Sequence, residues 1–177
     1  MGPNWLKFIF LEVKVIFLKP VPSARISYIL QLLSRCSTPE KIIFEALHNR
    51  FVFADDIEIT LEANPDDITA ERLQEWRALG TNRLSVGIQS FLDKDLIWMN
   101  RAHTADESMI CIDKIREAGF TNFSVDLIYG SPILSDEDWK RNVDIVIQKN
   151  ISHISCYALT VEPKTAFSGI IIEGIIL

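Results

Sequence analysis

Five side chains carry most of the chemistry this sequence could do: Glu62, Gln89, Arg101, Asp126 and Tyr157. Two acids and an amide can bind hydroxyls and an ammonium group. One arginine can hold a carboxylate through two parallel N–H bonds. Such a set suits a ribose joined to an amino acid. All five lie after or near the C-terminal ends of successive strand-like apolar runs. In a barrel of alternating strands and helices, the C-terminal strand ends are where chemistry is done.

Each residue also has a plainer reading. Glu62 alone is a solvated carboxylate, and Arg101, after a short helix, is a surface arginine. Gly87, ahead of Gln89, either lets something approach the backbone closely or marks a bulge. Asp126 lies within Phe123-Ser-Val-Asp126-Leu-Ile-Tyr129. An ionised carboxylate there needs a partner, which an ion pair or a ligand would supply. Asn64-Pro65-Asp66-Asp67 reads as a turn and helix entry. Tyr157 and Thr160 read as packing or edge residues. His48, His103 and His153 lack metal-ligand spacing. Trp76, Trp98 and Trp139 read as core, and Cys111 and Cys156 as small hydrophobes.

The elements that position these residues alternate. Strands are predicted at Ile57 to Asn64, Arg83 to Ser90, Asn122 to Gly130 and His153 to Thr160. The third is nearly unbroken in its apolarity, as for a parallel strand covered on both faces. Between them the pattern predicts a helix from Thr69 to Leu79, with Thr69 as N-cap and an inward stripe of Leu73, Trp76 and Leu79. A short helix follows at Asp93 to Asn100. The capping box Thr104-Ala-Asp-Glu107 opens a helix to Ala118, and Ser135 caps one to about Lys149. A weak repeat, Ala78-Leu-Gly-Thr-Asn82 and Ala118-Gly-Phe-Thr-Asn122, precedes two of the strands. Its period fits βαβ units. The first 50 residues fit less well. Val13 to Leu18 reads as a fifth parallel strand, Ile26 to Leu33 as a helix, and Pro39 to Asn49 as a better helix.

Composition narrows the class. The chain has 177 residues, 48% of them hydrophobic. That suffices for one core, but a complete eight-fold barrel takes about 250 residues. A net charge of −6 and the lack of a basic stripe argue against a nucleic-acid surface. Three widely spaced cysteines, Cys36, Cys111 and Cys156, suggest no disulfide framework and fit a reducing cytoplasm. The apolar Phe8 to Leu18 stretch is interrupted by Glu12 and Lys14 and is too short to span a bilayer.

Five ordered motifs carry a family resemblance: Leu61-Glu-Ala-Asn-Pro-Asp-Asp67, Ser85-Val-Gly-Ile-Gln-Ser-Phe91, Met99-Asn-Arg-Ala-His-Thr104, Val125-Asp-Leu-Ile-Tyr-Gly130, and His153 to Thr165 with Tyr157-Ala-Leu-Thr-Val-Glu-Pro163. They resemble the radical S-adenosylmethionine (SAM) proteins of the oxygen-independent coproporphyrinogen III oxidase group, and within it the haem chaperone HemW branch. The resemblance implies an α/β fold, a partial TIM-like (βα) barrel of parallel strands, incomplete here at both ends. It implies SAM and [4Fe–4S] as cofactors, with haem, or a haem-accepting protein, as a further candidate ligand or partner. In such proteins the cluster reduces SAM to a 5′-deoxyadenosyl radical, or the protein carries haem. By the same resemblance Glu62 lies near the methionyl or ribose part, Gln89 and Asp126 bind ribose, Arg101 clamps the methionine carboxylate, and Ala158 offers backbone near the adenine.

The sequence also departs from that pattern. The cluster-binding Cys-x-x-x-Cys-x-x-Cys triplet does not occur. The glycine-rich loop is replaced by Leu18-Lys-Pro-Val-Pro-Ser23, of which only Pro22-Ser23 match. Residues 1–56 therefore read as a divergent first part of the barrel, 57–165 as its core-like units, and 166–177 as an apolar tail. The expected protein is a fragment of a HemW-like protein that does no radical chemistry alone and binds SAM weakly or not at all. A coproporphyrinogen III oxidase and a defunct barrel piece are the alternatives.

Overall fold

The computed structural model describes residues 14–15, 28–31, 44, 47–50 and 52–160. Within them lies a sheet of six strands in simple sequential order: β1 (Lys14–Val15), β2 (Tyr28–Gln31), β3 (Ile59–Ala63), β4 (Arg83–Gln89), β5 (Phe123–Tyr129) and β6 (His153–Ala158). Strands β2 to β6 are mutually parallel. Helices α1 (Ala70–Ala78), α2 (Asp93–Trp98), α3 (Ala105–Glu117) and α4 (Asp136–Gln148) fill the connections. This is the alternating α/β pattern of a partial barrel, as the family resemblance implies.

Local chemistry explains the helix starts. The Thr69 hydroxyl accepts the Arg72 N–H, and the Ser135 hydroxyl accepts that of Asp138. Thr104 and Glu107 form a complete capping box, each side chain accepting from the other's backbone N–H. The repeat has a function in folding as well. Gly80 turns the chain at φ +98°, and Asn82 then accepts the Ile59 N–H at 2.8 Å and donates to the Ile57 carbonyl at 2.8 Å. Asn82 thus ties the start of β4 to the start of β3.

Alternation along the strands sorts the two faces. Ile59, Leu61 and Ala63 on β3, Leu84, Val86 and Ile88 on β4, and Phe123, Val125 and Leu127 on β5 are all buried in one cluster. Against them pack Leu73 and Trp76 of α1, Cys111, Ile112 and Ile115 of α3, and Val146 of α4. The other face carries Thr60, Arg83, Ser85, Ser124 and Asp126, linked through their side chains. Here β5 departs from the sequence prediction. Only one of its faces meets an apolar layer, and the other belongs to a polar hollow.

The N-terminal part corrects two further expectations. Tyr28–Gln31 is a strand within the predicted Ile26 to Leu33 helix, in parallel register with Ile59–Glu62. A short, mostly apolar run fits either period, and pairing with a neighbour decides between them. Lys14–Val15 is a strand, but it runs antiparallel to β2 rather than parallel. Phe44 and residues 47–48 are helical within the predicted Pro39 to Asn49 helix. The loop at 18–23, Cys36 and the tail at 166–177 lie outside the described residues. No described helix is long and apolar enough to cross a membrane.

Candidate functional site

The polar hollow opens at the C-terminal ends of β3, β4 and β5. Its lining is Glu62, Ala63, Asn64, Ser85, Gly87, Gln89, Arg101 and Asp126. Four of the six residues singled out in the sequence, Glu62, Gln89, Arg101 and Asp126, therefore meet in one place. Ala158 and Tyr157 do not line it. Both are exposed at the end of β6, where they pair with Tyr129 and Ile128. Cys156 is exposed on the same strand, which corrects its reading as a packed hydrophobe.

Asp126 is held by a ladder of hydroxyls. Arg83 donates to the Ser124 hydroxyl at 3.1 Å, Ser124 and Ser85 are 3.1 Å apart, and Ser85 lies 3.1 Å from both Asp126 oxygens. A guanidinium only donates and a carboxylate only accepts, while each hydroxyl has one proton to give. The direction is therefore fixed: Arg83 to Ser124 to Ser85 to Asp126. Burial raises the Asp126 pKa above its ordinary value. Hydrogen bonds from Ser155 and Ser85, and the charges of Arg83 and His153, offset only part of this. A ligand that donated hydrogen bonds to this carboxylate would relieve the remaining cost.

Arg101 reaches the hollow from the segment after α2. Its Nη2 donates to Asn64 Oδ1 at 2.7 Å and to the Gly87 carbonyl at 3.3 Å. Burial lowers its pKa, with the nearby Asp66 charge opposing. Gly87 is the floor. A Cβ there would lie 2.8 Å from Gln89 Nε2, 3.3 Å from Asn64 Oδ1 and 3.7 Å from Arg101 Nη2. The close-approach and bulge readings of Gly87 both hold. Between β4 and β5, Val86 faces Val125 but Gln89 faces Leu127. Three residues of β4 therefore span two of β5, as in a bulge.

Sequence reasoning missed Ser85 and read Asn64 only as part of a turn. Ser85 shares strand parity with Arg83 and Gly87, a period-2 signal that could have placed it on the polar face.

A neighbouring histidine adds a pH dependence. His103 is buried, with Nε2 3.0 Å from the Ile88 carbonyl. Burial lowers its pKa; the Ile88 contact, Asp66 and Glu107 oppose this, and Arg101 adds to it. The fold thus favours neutral His103. That stabilisation is present above the unfolded pKa of about 6.5 and is lost as pH falls below it toward the folded value. Thermal melts should show Tm dropping as pH falls through that window, and the drop should shrink in His103→Gln. An identical pH profile in the variant would remove His103 as the cause.

Three comparisons place the chain among known proteins. A family profile described as the Radical SAM superfamily matches residues 16–146. This chain belongs to that superfamily. Among radical SAM relatives it is 36% identical over 132 residues to the "Heme chaperone HemW" of Mycobacterium tuberculosis, covering 75% of this chain and 34% of the relative. To the protein of the same name from Bacillus subtilis it is 37% identical over 117 residues, covering 66% and 31%. The solved coproporphyrinogen III oxidase (HemN) of Escherichia coli, described as a radical SAM enzyme, superposes with a TM-score of 0.67 at 29% identity. That match covers 73% of this chain and 30% of the oxidase. The chain thus spans about a third of the length of the curated relatives it matches.

The superfamily implies SAM and a [4Fe–4S] cluster, and the two fare differently here. Carboxylates, an amide, a guanidinium and a bare glycine floor suit the diol, ammonium and carboxylate of SAM. The hollow is about 110 Å³, against at least ~300 Å³ for a typical small-molecule pocket. The described residues thus enclose only part of such a ligand. The cluster finds no such fit. Its irons need several cysteine thiolates. Cys111 is buried on α3, with its thiol on the Ser108 carbonyl and its pKa pushed up to about 12. Cys156 stands apart on β6, and no group of three or more metal-ligating side chains occurs among the described residues. No reductive step is therefore assigned to these residues.

Proposed function

We propose that this chain is part of a HemW-like radical SAM protein of haem metabolism, and that the hollow is part of its SAM site. The supporting observation is the convergence of Glu62, Gln89, Arg101 and Asp126, from three strands and one loop, on a single polar hollow. In this reading Gln89 and Asp126 bind the ribose hydroxyls, and Arg101 holds the methionine carboxylate. Glu62 lies beside the methionyl or ribose part, and the backbone at Ala158 faces the adenine. Haem, or a protein that accepts it, is the further ligand or partner. The cytoplasm is the compartment that suits such a protein.

SAM titrated into the labelled chain should give saturable NMR shifts at Gln89 and Asp126. The dissociation constant should be weaker than micromolar, on the order of millimolar, as for a site with part of its walls. Absence of any shift at these residues would refute the site. Micromolar affinity would refute its partial character. Anaerobic reconstitution with iron and sulfide should leave the chain without the broad visible absorbance of a cluster. Stoichiometric cluster uptake would overturn the misfit read from its cysteines.

A second reading, a coproporphyrinogen III oxidase, draws on the likeness to the Escherichia coli enzyme. A shift of the Soret band when haem is added would favour the chaperone.

A further inference from the structure

The bulge in β4 ends in an unusual turn. Gln89 has φ +67°, in the left-handed region, although it is not a glycine. The Ser90 N–H reaches back to the Ile88 carbonyl at 2.8 Å. A bond across three residues with a positive central φ is a γ-turn of the rare, strained hand. Such strain persists only where the surroundings over-determine it, and it clusters at functional sites.

Two side chains from one short segment supply that constraint. Arg101 donates to the Gly87 carbonyl at 3.3 Å, and His103 Nε2 lies 3.0 Å from the Ile88 carbonyl. A carbonyl only accepts, so Nε2 must carry the proton. His103 is fixed in turn. It immediately precedes Thr104, the N-cap of α3, whose capping box holds the backbone. Its side chain is fully buried, and its Nδ1 sits 4.0 Å from Asp66 Oδ1 without a hydrogen-bond partner. A ring needed only to fill space would be served as well by an apolar side chain, which would leave no buried ring nitrogen unpaired.

We propose that His103 is a positioning residue for the hollow: by holding the Ile88 carbonyl it maintains the strained turn that aims the Gln89 amide at the ligand. This rests on the reading of the hollow as part of an adenosyl site. The ring touches no ligand in this scheme. It acts through the backbone of β4, and α3 is its anchor.

The test separates the two claims. In the labelled 177-residue chain, long-range ¹H–¹⁵N correlations should show His103 as the Nε2–H tautomer; an Nδ1–H tautomer would overturn the proposal, whatever binds. His103→Ala should move the Gln89 side-chain amide and Ser90 N–H resonances. It should also weaken S-adenosylhomocysteine, used as the probe, by at least about fivefold. His103→Gln, which keeps an N–H donor, should restore both. A folded His103→Ala with unchanged Gln89 resonances, or a His103→Gln that behaves like the alanine variant, would overturn the positioning role. Should the wild type bind no probe, the site reading fails, while the tautomer and the Gln89 resonances still decide the proposal.

Discussion

Arg101→Ala should weaken S-adenosylhomocysteine by at least tenfold and erase its NMR shifts at Gln89. The guanidinium does two things in the hollow. Among the described residues it is the one positive group lining it, and it can meet a ligand carboxylate with two parallel bonds. It also ties Asn64 at 2.7 Å to the Gly87 carbonyl at 3.3 Å. A hydrogen bond to a charged group contributes about 1.5–3 kcal/mol, which corresponds to roughly 10- to 150-fold in affinity. Arg101→Lys should fall between wild type and alanine, since lysine keeps the charge but loses the planar fork. Titrations of the three proteins measure this directly. Equal affinity in wild type and Arg101→Ala would mean that the carboxylate end of the ligand lies elsewhere.

Much of the site was legible because its residues sit at strand ends, and strand ends are marked by strong local signals. Thr69, Thr104 and Ser135 each cap a helix as the sequence predicts. Once those helices are placed, the strands between them are bounded; Glu62 and Gln89 fall near their tips, and Asp126 falls midway along its own. What stayed hidden depends on pairs of elements. The β4 bulge, one of two readings open for Gly87, is a mismatch of register with β5, and neither strand's sequence decides it alone. The structural role of His103 is not legible in the sequence, since its partner, the Ile88 carbonyl, has no side-chain signature. Cys156 lies in a strand that looks fit for burial, yet β6 has one described neighbour, so its exposure follows from sheet order. The strand at Tyr28–Gln31 was missed for a similar reason. Its apolar run satisfies two periods, and only the register with β3 separates them.

Two adjacent residues of β4 should respond in opposite ways, because the sheet divides core from site between them. Leu84 is fully buried on the helix-covered face of an interior strand. Leu84→Ala should cost about 3–4 kcal/mol, from lost transfer energy and the cavity left behind. That is a large share of the ~5–15 kcal/mol that holds a domain together. Urea unfolding should show the midpoint falling with an unchanged slope. Ser85, one residue on, faces the hollow and donates to Asp126. Ser85→Ala should cost only about 1 kcal/mol. It should, however, raise the Asp126 pKa further, because the Ser85 bond is one of the contacts that lower it. Carboxyl NMR titration of Asp126 reads that shift. A folded Leu84→Ala should leave the Asp126 titration where it was. If Leu84→Ala moved Asp126 as far as Ser85→Ala does, the two faces would be mechanically coupled, and the hollow would depend on core packing rather than on its own ladder of hydroxyls.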